Sequence, residues 1–329
     1  MEEPILKAEK ISKSYGSRRI LKNISLDIMP GEIIGIIGAS GSGKTTFLNI
    51  LIGFIKPEEG HVNFKQPKIV AHENNAVYKS VYKNQKIVKN MYGFASQVPS
   101  FYEKLTVREN LEYFGELYNL SQETLQANVS TLLKLMDLEN SANILGKNLS
   151  GGMERRLDIA CSLIHNPAIL IMDEPTADLD PILRNNIWKL IEKINSKGTT
   201  IILASHHLNE LETLCSRIAI IKGGEIVGIG SAEQLKSKFS HNKEIRIQSY
   251  PGNYTALGNY LLKKFKTKIN SFENQGNELL IICNNPETIL NELILSLEKK
   301  KEKILELKIV KPSLDQLFIS IQSEKDIKK

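Results

Sequence analysis

The chain has 329 residues, 41% apolar and 24% charged, and its 43 Lys+Arg against 37 Asp+Glu give a net charge of +6. This length suits about two domains, and the apolar content excludes a disordered or low-complexity chain. The longest apolar stretches, such as residues 33–39 and 168–172, are far too short to cross a bilayer as a helix, and Met1-Glu2-Glu3-Pro4 leads into no signal-peptide core.

Residues 5–10 and 25–29 read as short strands of an antiparallel sheet, bounded by the turns Tyr15-Gly16-Ser17 and Pro30-Gly31. Residues 33–37, Ile-Ile-Gly-Ile-Ile, are a β-branched run of the kind buried on both faces of a parallel sheet. A glycine-rich loop follows, then a helix over residues 45–51 with Gly53 as its stop. Residues 65–92 interleave lysines with single apolar residues and yield no assignment. Thr106-Val-Arg-Glu109 is a capping box. It opens a helix with Val107, Leu111, Phe114 and Leu117 on one face, and Leu125, Val129, Leu132 and Met136 mark a second helix. Residues 98–165 are therefore expected to form a helical subdomain.

Residues 169–172 form another buried strand, ending in Asp173-Glu174. Asp180-Pro181 supplies an N-cap and a first-turn proline for a helix to about residue 197, and residues 199–203 a third buried strand. This alternation indicates an α/β core with parallel strands. After residue 230 the pattern changes to strand (245–248), helix (254–265), strand (278–283), amphipathic helix (286–303), strand (305–310) and helix (313–321). This is a small α+β unit, with the boundary near 231–243. The charge shifts at the same place: residues 1–230 carry 26 Lys+Arg against 25 Asp+Glu, and residues 231–329 carry 17 against 12. Cys161, Cys215 and Cys283 lie far apart with no CxxC spacing, so neither a disulfide framework nor a zinc site is expected, and a reducing compartment fits.

Three motifs carry chemistry. Gly38-Ala39-Ser40-Gly41-Ser42-Gly43-Lys44-Thr45 fits GxxxxGK[ST] and lies between a buried strand and a helix. Its glycines let backbone N–H groups turn inward, and these amides with the helix N-terminus hold anionic phosphates. Lys44 would reach the β- and γ-phosphates and the Thr45 hydroxyl would bind Mg²⁺, with Thr46 following in the helix. The strand-end pair is the second motif: Asp173 suits Mg²⁺, and Glu174 suits the attacking water. The third is Leu149-Ser150-Gly151-Gly152-Met153, in which Ser150 caps a helix and Gly151 and Gly152 expose N–H groups at its positive end. One chain with two phosphate-binding helix ends points to head-to-tail pairing of two copies.

In this order and spacing the three motifs resemble the ATP-binding subunit of ABC (ATP-binding cassette) transporters, over about residues 5–230. The resemblance implies a P-loop NTPase α/β core of ABC type with an antiparallel β subdomain and a helical subdomain, followed by the small C-terminal domain. It implies ATP and Mg²⁺ as ligands, and Tyr15 as the aromatic that stacks on adenine. Gln97 resembles the glutamine that touches Mg²⁺ or water and couples to the permease, although Ser96 stands where proline is common. His206 resembles the histidine that contacts the γ-phosphate, favoured over His207 by the spacing to Glu210. Asp178 stands where glycine is frequent. Met153, and the ending 311–318, resemble the exporter branch whose permease is a separate chain.

The expected protein is thus a cytoplasmic ATPase at the inner face of a membrane. It would pair with a second ATP-binding subunit, as a homodimer, dock on a transmembrane permease and bind no nucleic acid. A soluble ABC ATPase acting on ribosomes or DNA is the alternative. The single cassette and the lack of a heptad run disfavour it.

Overall fold

A computed structural model describes residues 3–66, 77–206, 208–239 and 243–310, with Leu314 and Phe318. His207, most of the 313–321 expectation and part of 65–92 therefore lie outside the described residues. The chain forms two compact units, residues 1–231 and 232–329.

The first unit opens with β1 (Leu6–Tyr15), β2 (Arg18–Ile28), β3 (Ile33–Ile37), α1 (Lys44–Ile52), β4 (Glu59–Lys65) and β5 (Tyr78–Ser80). Next come α2 (Gln85–Met91), β6 (Tyr92–Ala95), α3 (Val107–Leu117), α4 (Gln122–Leu135) and α5 (Gly151–Leu163). It closes with β7 (Ile169–Asp173), α6 (Pro181–Asn195), β8 (Thr200–Ala204), α7 (Leu208–Leu214), β9 (Arg217–Lys222) and β10 (Glu225–Gly230).

Two sheets result. An antiparallel sheet has the order β2-β1-β4-β5, and a six-stranded sheet has the order β10-β9-β3-β8-β7-β6. In the second sheet β3, β6, β7, β8 and β9 run parallel, and β10 is an antiparallel edge. All five residues of β3, β7 and β8 are buried, as β-branched runs covered on both faces must be. Phe47, Leu48 and Leu51 of α1 join a core that takes in Ile11, Ile24 and Phe64 of the antiparallel sheet and Ile34 and Ile171 of the parallel one.

The helix ends follow their sequences. Thr106 and Glu109 form the reciprocal capping box of α3. Asp180 Oδ1 accepts from the Ile182 and Leu183 amides at 2.9 Å, with Pro181 at the first turn of α6. Gly53 closes α1 with φ 93°, the left-handed conformation that glycine adopts without strain.

Parallel registers set the position of the site. Ile36 pairs with Ala204, Asp173 with Ala204, and Ala95 with Met172. The segments leaving β3, β6, β7 and β8 therefore emerge together at the C-terminal edge of one sheet. In the stretch without assignment, β5 and α2 form. In α2 the interleaving leaves only Val88 and Met91 buried.

The second unit runs α8 (Ala232–Phe239), β11 (Lys243–Tyr250), α9 (Tyr254–Lys264), β12 (Ile269–Asn274), β13 (Leu279–Cys283), α10 (Glu287–Lys299) and β14 (Lys303–Val310). Its sheet order is β12-β13-β11-β14. Strand β12 was not expected: it is an edge strand in which Ile269 alone is buried, so it carries little apolar signal. The amphipathic helix ends at Lys299 rather than 303, because Lys301 turns into the left-handed region (φ 57°) and Lys303 already pairs with Tyr250. Ile245, Leu257, Ile281 and Leu293 are fully buried in this unit's own core. The three cysteines are buried and free. Among the described residues no helix is long and apolar enough to cross a membrane.

Candidate functional site

The glycine-rich loop joins β3 to α1. Gly43, at the N-cap of α1, has φ 103°, and a Cβ there would lie 2.7 Å from Leu21 Cδ2. A Cβ on Gly38 would meet the Ile221 carbonyl at 2.7 Å. These two positions admit only glycine, which is why the spacing of the motif is so specific. No side chain caps α1, so its positive end stays open toward the loop. Lys44 is buried, and its Nζ donates to the carbonyls of Gly38 (2.9 Å) and Ala39 (3.4 Å). Ser40 and Gly41 are exposed on the loop, and Ser42 Oγ is buried with no hydrogen-bond partner among the described residues.

A depression of about 230 Å³ beside the loop is lined by Tyr15, Arg18, Gly41, Lys44, Thr45 and Thr46, among others. Tyr15, at the end of β1, is 51% exposed, so its ring can receive a planar ligand. Arg18 was not anticipated. It pairs with Tyr15 across the tight turn, and its Nη2 reaches within 3.9 Å of a Cβ built on Gly41. An arginine directly after the Tyr15-Gly16-Ser17 turn was the available signal.

At the end of β7, Asp173 is 3% exposed and its Oδ1 has no hydrogen-bond partner among the described residues. Glu174 adopts φ 49°, a left-handed conformation that costs a non-glycine residue about 1–2 kcal/mol. Its amide donates to the Ala204 carbonyl at 2.9 Å, fastening the turn to the end of β8. That turn aims the Glu174 carboxylate at the segment leaving β8, where Oε2 lies 2.8 Å from His206 Nδ1. Asp178 is also left-handed (φ 61°), which accounts for glycine being unstrained at that position.

Gln97 is exposed, two residues beyond β6 and next to the end of β7 in the sheet. Ser150 occupies the N-cap position of α5 but makes no capping hydrogen bond, contrary to expectation. The first turn is held instead by the Glu154 amide on the Ser150 carbonyl at 2.8 Å, and the hydroxyl side is exposed. Gly151 is exposed and Gly152 is buried, where a Cβ would lie 2.9 Å from Leu183 Cδ2. None of Ser150, Gly151 and Gly152 lines the depression at Lys44. The structure thus brings the loop, Asp173, Glu174, His206 and Gln97 to one sheet edge, and the start of α5 does not line the depression beside the loop.

A second concavity of about 580 Å³ lies among α2, β6, α3 and α5, with Phe54, Val88, Phe94, Tyr118 and Asp158 in its wall. Phe54 is 68% exposed there and packs edge-on against Phe94 at 5.7 Å.

The family profile described as ABC transporter matches residues 21–177, which include the loop and the Asp173-Glu174 pair. The linearmycin resistance ATP-binding protein LnrL of Bacillus subtilis is 30% identical over 319 residues, covering 96% of this chain and 98% of that protein. The chain belongs to the ABC transporter family of ATP-binding proteins.

The Nod factor export ATP-binding protein I of Paraburkholderia xenovorans is 34% identical over 235 residues, covering 71% of this chain and 73% of that one. Among solved structures, the ABC cassette MJ0796, a dimer in a post-hydrolysis state with ADP and Pi, is 31% identical. It superposes with a TM-score of 0.58 over 69% of this chain and 98% of its own. CbiO1 of Clostridium perfringens, part of the cbiONQ transporter complex, gives 27% identity and a TM-score of 0.63 over 72% and 92%. The first unit is therefore an ABC-type α/β core, and the protein is an ATP-binding, ATP-hydrolysing ABC transporter subunit.

Proposed function

We propose that this ABC subunit hydrolyses ATP between two copies of itself to drive export through a separate permease. The observation that carries the reading is the Glu174–His206 contact, held beside Asp173 at the same sheet edge as the phosphate loop. The adenine stacks on Tyr15, and the loop amides with Lys44 take the phosphates. Thr45, Asp173 and Gln97 would hold Mg²⁺, and the partnerless, buried Asp173 Oδ1 fits a group that binds a hydrated cation. The cation, when bound, would offset phosphate charge. His206 occupies Glu174 Oε2, which leaves Oε1 to orient the attacking water and accept its proton.

Ser150, Gly151 and Gly152 of a second copy would supply the remaining anion contacts. Their exclusion from the Lys44 depression and the uncapped α5 terminus support this pairing, which a two-fold axis satisfies twice. The concavity with exposed Phe54 in its wall supports docking of a permease helix, and thereby attachment at the cytoplasmic face of a membrane. The export direction rests on the relatives, whose names assign them to Nod factor export and linearmycin resistance. The unit 232–329 is assigned an accessory or regulatory role.

Glu174→Gln tests the reading. It should yield ATP-stabilised dimers by size-exclusion chromatography with turnover reduced by about 10² or more. Undiminished hydrolysis would remove Glu174 from its role.

A further inference from the structure

Arg155 lies four residues after Gly151, on the buried side of α5, and is 5% exposed. A guanidinium carries five N–H donors in a fixed plane. Here they are spread over three chain segments. Nε donates to the Pro175 carbonyl at 2.8 Å, and Nη2 to the Asp173 carbonyl at 3.3 Å, so the two carbonyls bracket Glu174. Nη1 donates to the Ser96 carbonyl at 2.5 Å, directly before Gln97, and to Asp158 Oδ2 at 3.2 Å. Asp158 is 1% exposed, and its other oxygen, Oδ1, accepts from the amide (2.9 Å) and the hydroxyl (3.1 Å) of Ser100.

The Arg155–Asp158 ion pair is buried on both sides, with side chains 6% and 1% exposed. Asp158 is pushed up by burial and held back by Arg155 and by the Ser100 hydrogen bonds. Each charge is buried with the other as its ionic partner at 3.2 Å, and the pair has a direction in space. Asp158 and Ser100 line the second concavity, and Arg155 connects them to the backbone on both sides of Glu174.

We propose that Arg155 and Asp158 are positioning residues for ATP hydrolysis. Together they fix the Gln97 segment and the Glu174 turn to the helix that begins at Gly151, and they link the wall of the concavity to Glu174. This rests on the reading of Glu174 as the residue that orients water. Neither side chain lines the depression beside the phosphate loop. Their effect is geometric: a small displacement of Ser100 shifts Asp158, and Arg155 carries the shift to the carbonyls beside Glu174. Lysine cannot replace Arg155, because one ammonium on a flexible stem cannot serve acceptors spread around a plane.

The test uses the purified full-length protein, reading steady-state ATPase rate against ATP concentration, ATP-binding stoichiometry and melting temperature. Arg155→Lys is expected to lower kcat about ten-fold or more, with KM for ATP changed less than about three-fold and one ATP still bound per chain. A wild-type kcat overturns the proposal. So does a fall in kcat matched by an equal fall in binding stoichiometry, since that marks lost protein and not lost positioning. If Arg155→Lys does not fold, Asp158→Asn, which keeps the volume and removes the charge, is measured with the same criteria. Glu174→Gln runs in parallel: full hydrolysis by that variant would overturn the reading of Glu174, whatever Arg155→Lys does.

Discussion

His206 Nδ1 lies 2.8 Å from Glu174 Oε2, although 32 residues separate them in the chain. The contact forms because β7 and β8 are parallel neighbours that end level with each other, and because Glu174 accepts a left-handed backbone to face its partner. The Glu174 side chain is 12% exposed and that of His206 59%, so the acid is sheltered while the imidazole faces outward.

Replacing His206 with Ala removes the group that fixes the Glu174 carboxylate. The expected outcome is a fall in kcat of about 10² or more at unchanged ATP affinity, read by turnover assays and equilibrium binding. An unchanged kcat would show that Glu174 holds its orientation alone.

Tyr15→Ala should weaken ATP binding while leaving hydrolysis of bound ATP nearly intact. Loss of one base–aromatic stack costs about 1–3 kcal/mol, or roughly five- to 150-fold in affinity. Tyr15→Phe should restore it. Fluorescent-nucleotide titration separates this from a folding defect.

Acid stability should depend on His165, which stacks on Tyr118 with ring centroids 3.7 Å apart. Burial, aided by Lys89, holds its pKa down at about 4, against the opposing hydrogen bond to the Tyr92 carbonyl. The unfolded chain, with a histidine pKa near 6.5, takes up the proton first as pH falls. The stabilisation by His165 is therefore complete above about pH 6.5 and is lost progressively as pH falls toward 4, to an order of 2–3 kcal/mol. Melting temperatures between pH 7 and 4 should fall more steeply in the native protein than in His165→Gln.

The sequence located most of the candidate residues because their positions are tied to the backbone. Gly38 and Gly43 are required by close approach, and Asp173 by its place at a strand end, so local pattern suffices. Arg18 and Arg155 escaped because their roles arise from contacts across register or across segments that no spacing encodes. The N-cap at Ser150 was legible in position but not in bonding, since a serine there need not turn its hydroxyl onto the helix. Strand β12 was hidden by its exposure, and the end of α10 by a lysine run with no glycine to mark it.

The Lys44 ammonium rests on two carbonyls of its own loop, so this buried cation is satisfied by the same backbone that positions it. In the proposed cycle, phosphate oxygens would join or replace those two carbonyls around a charge whose position the backbone has already set.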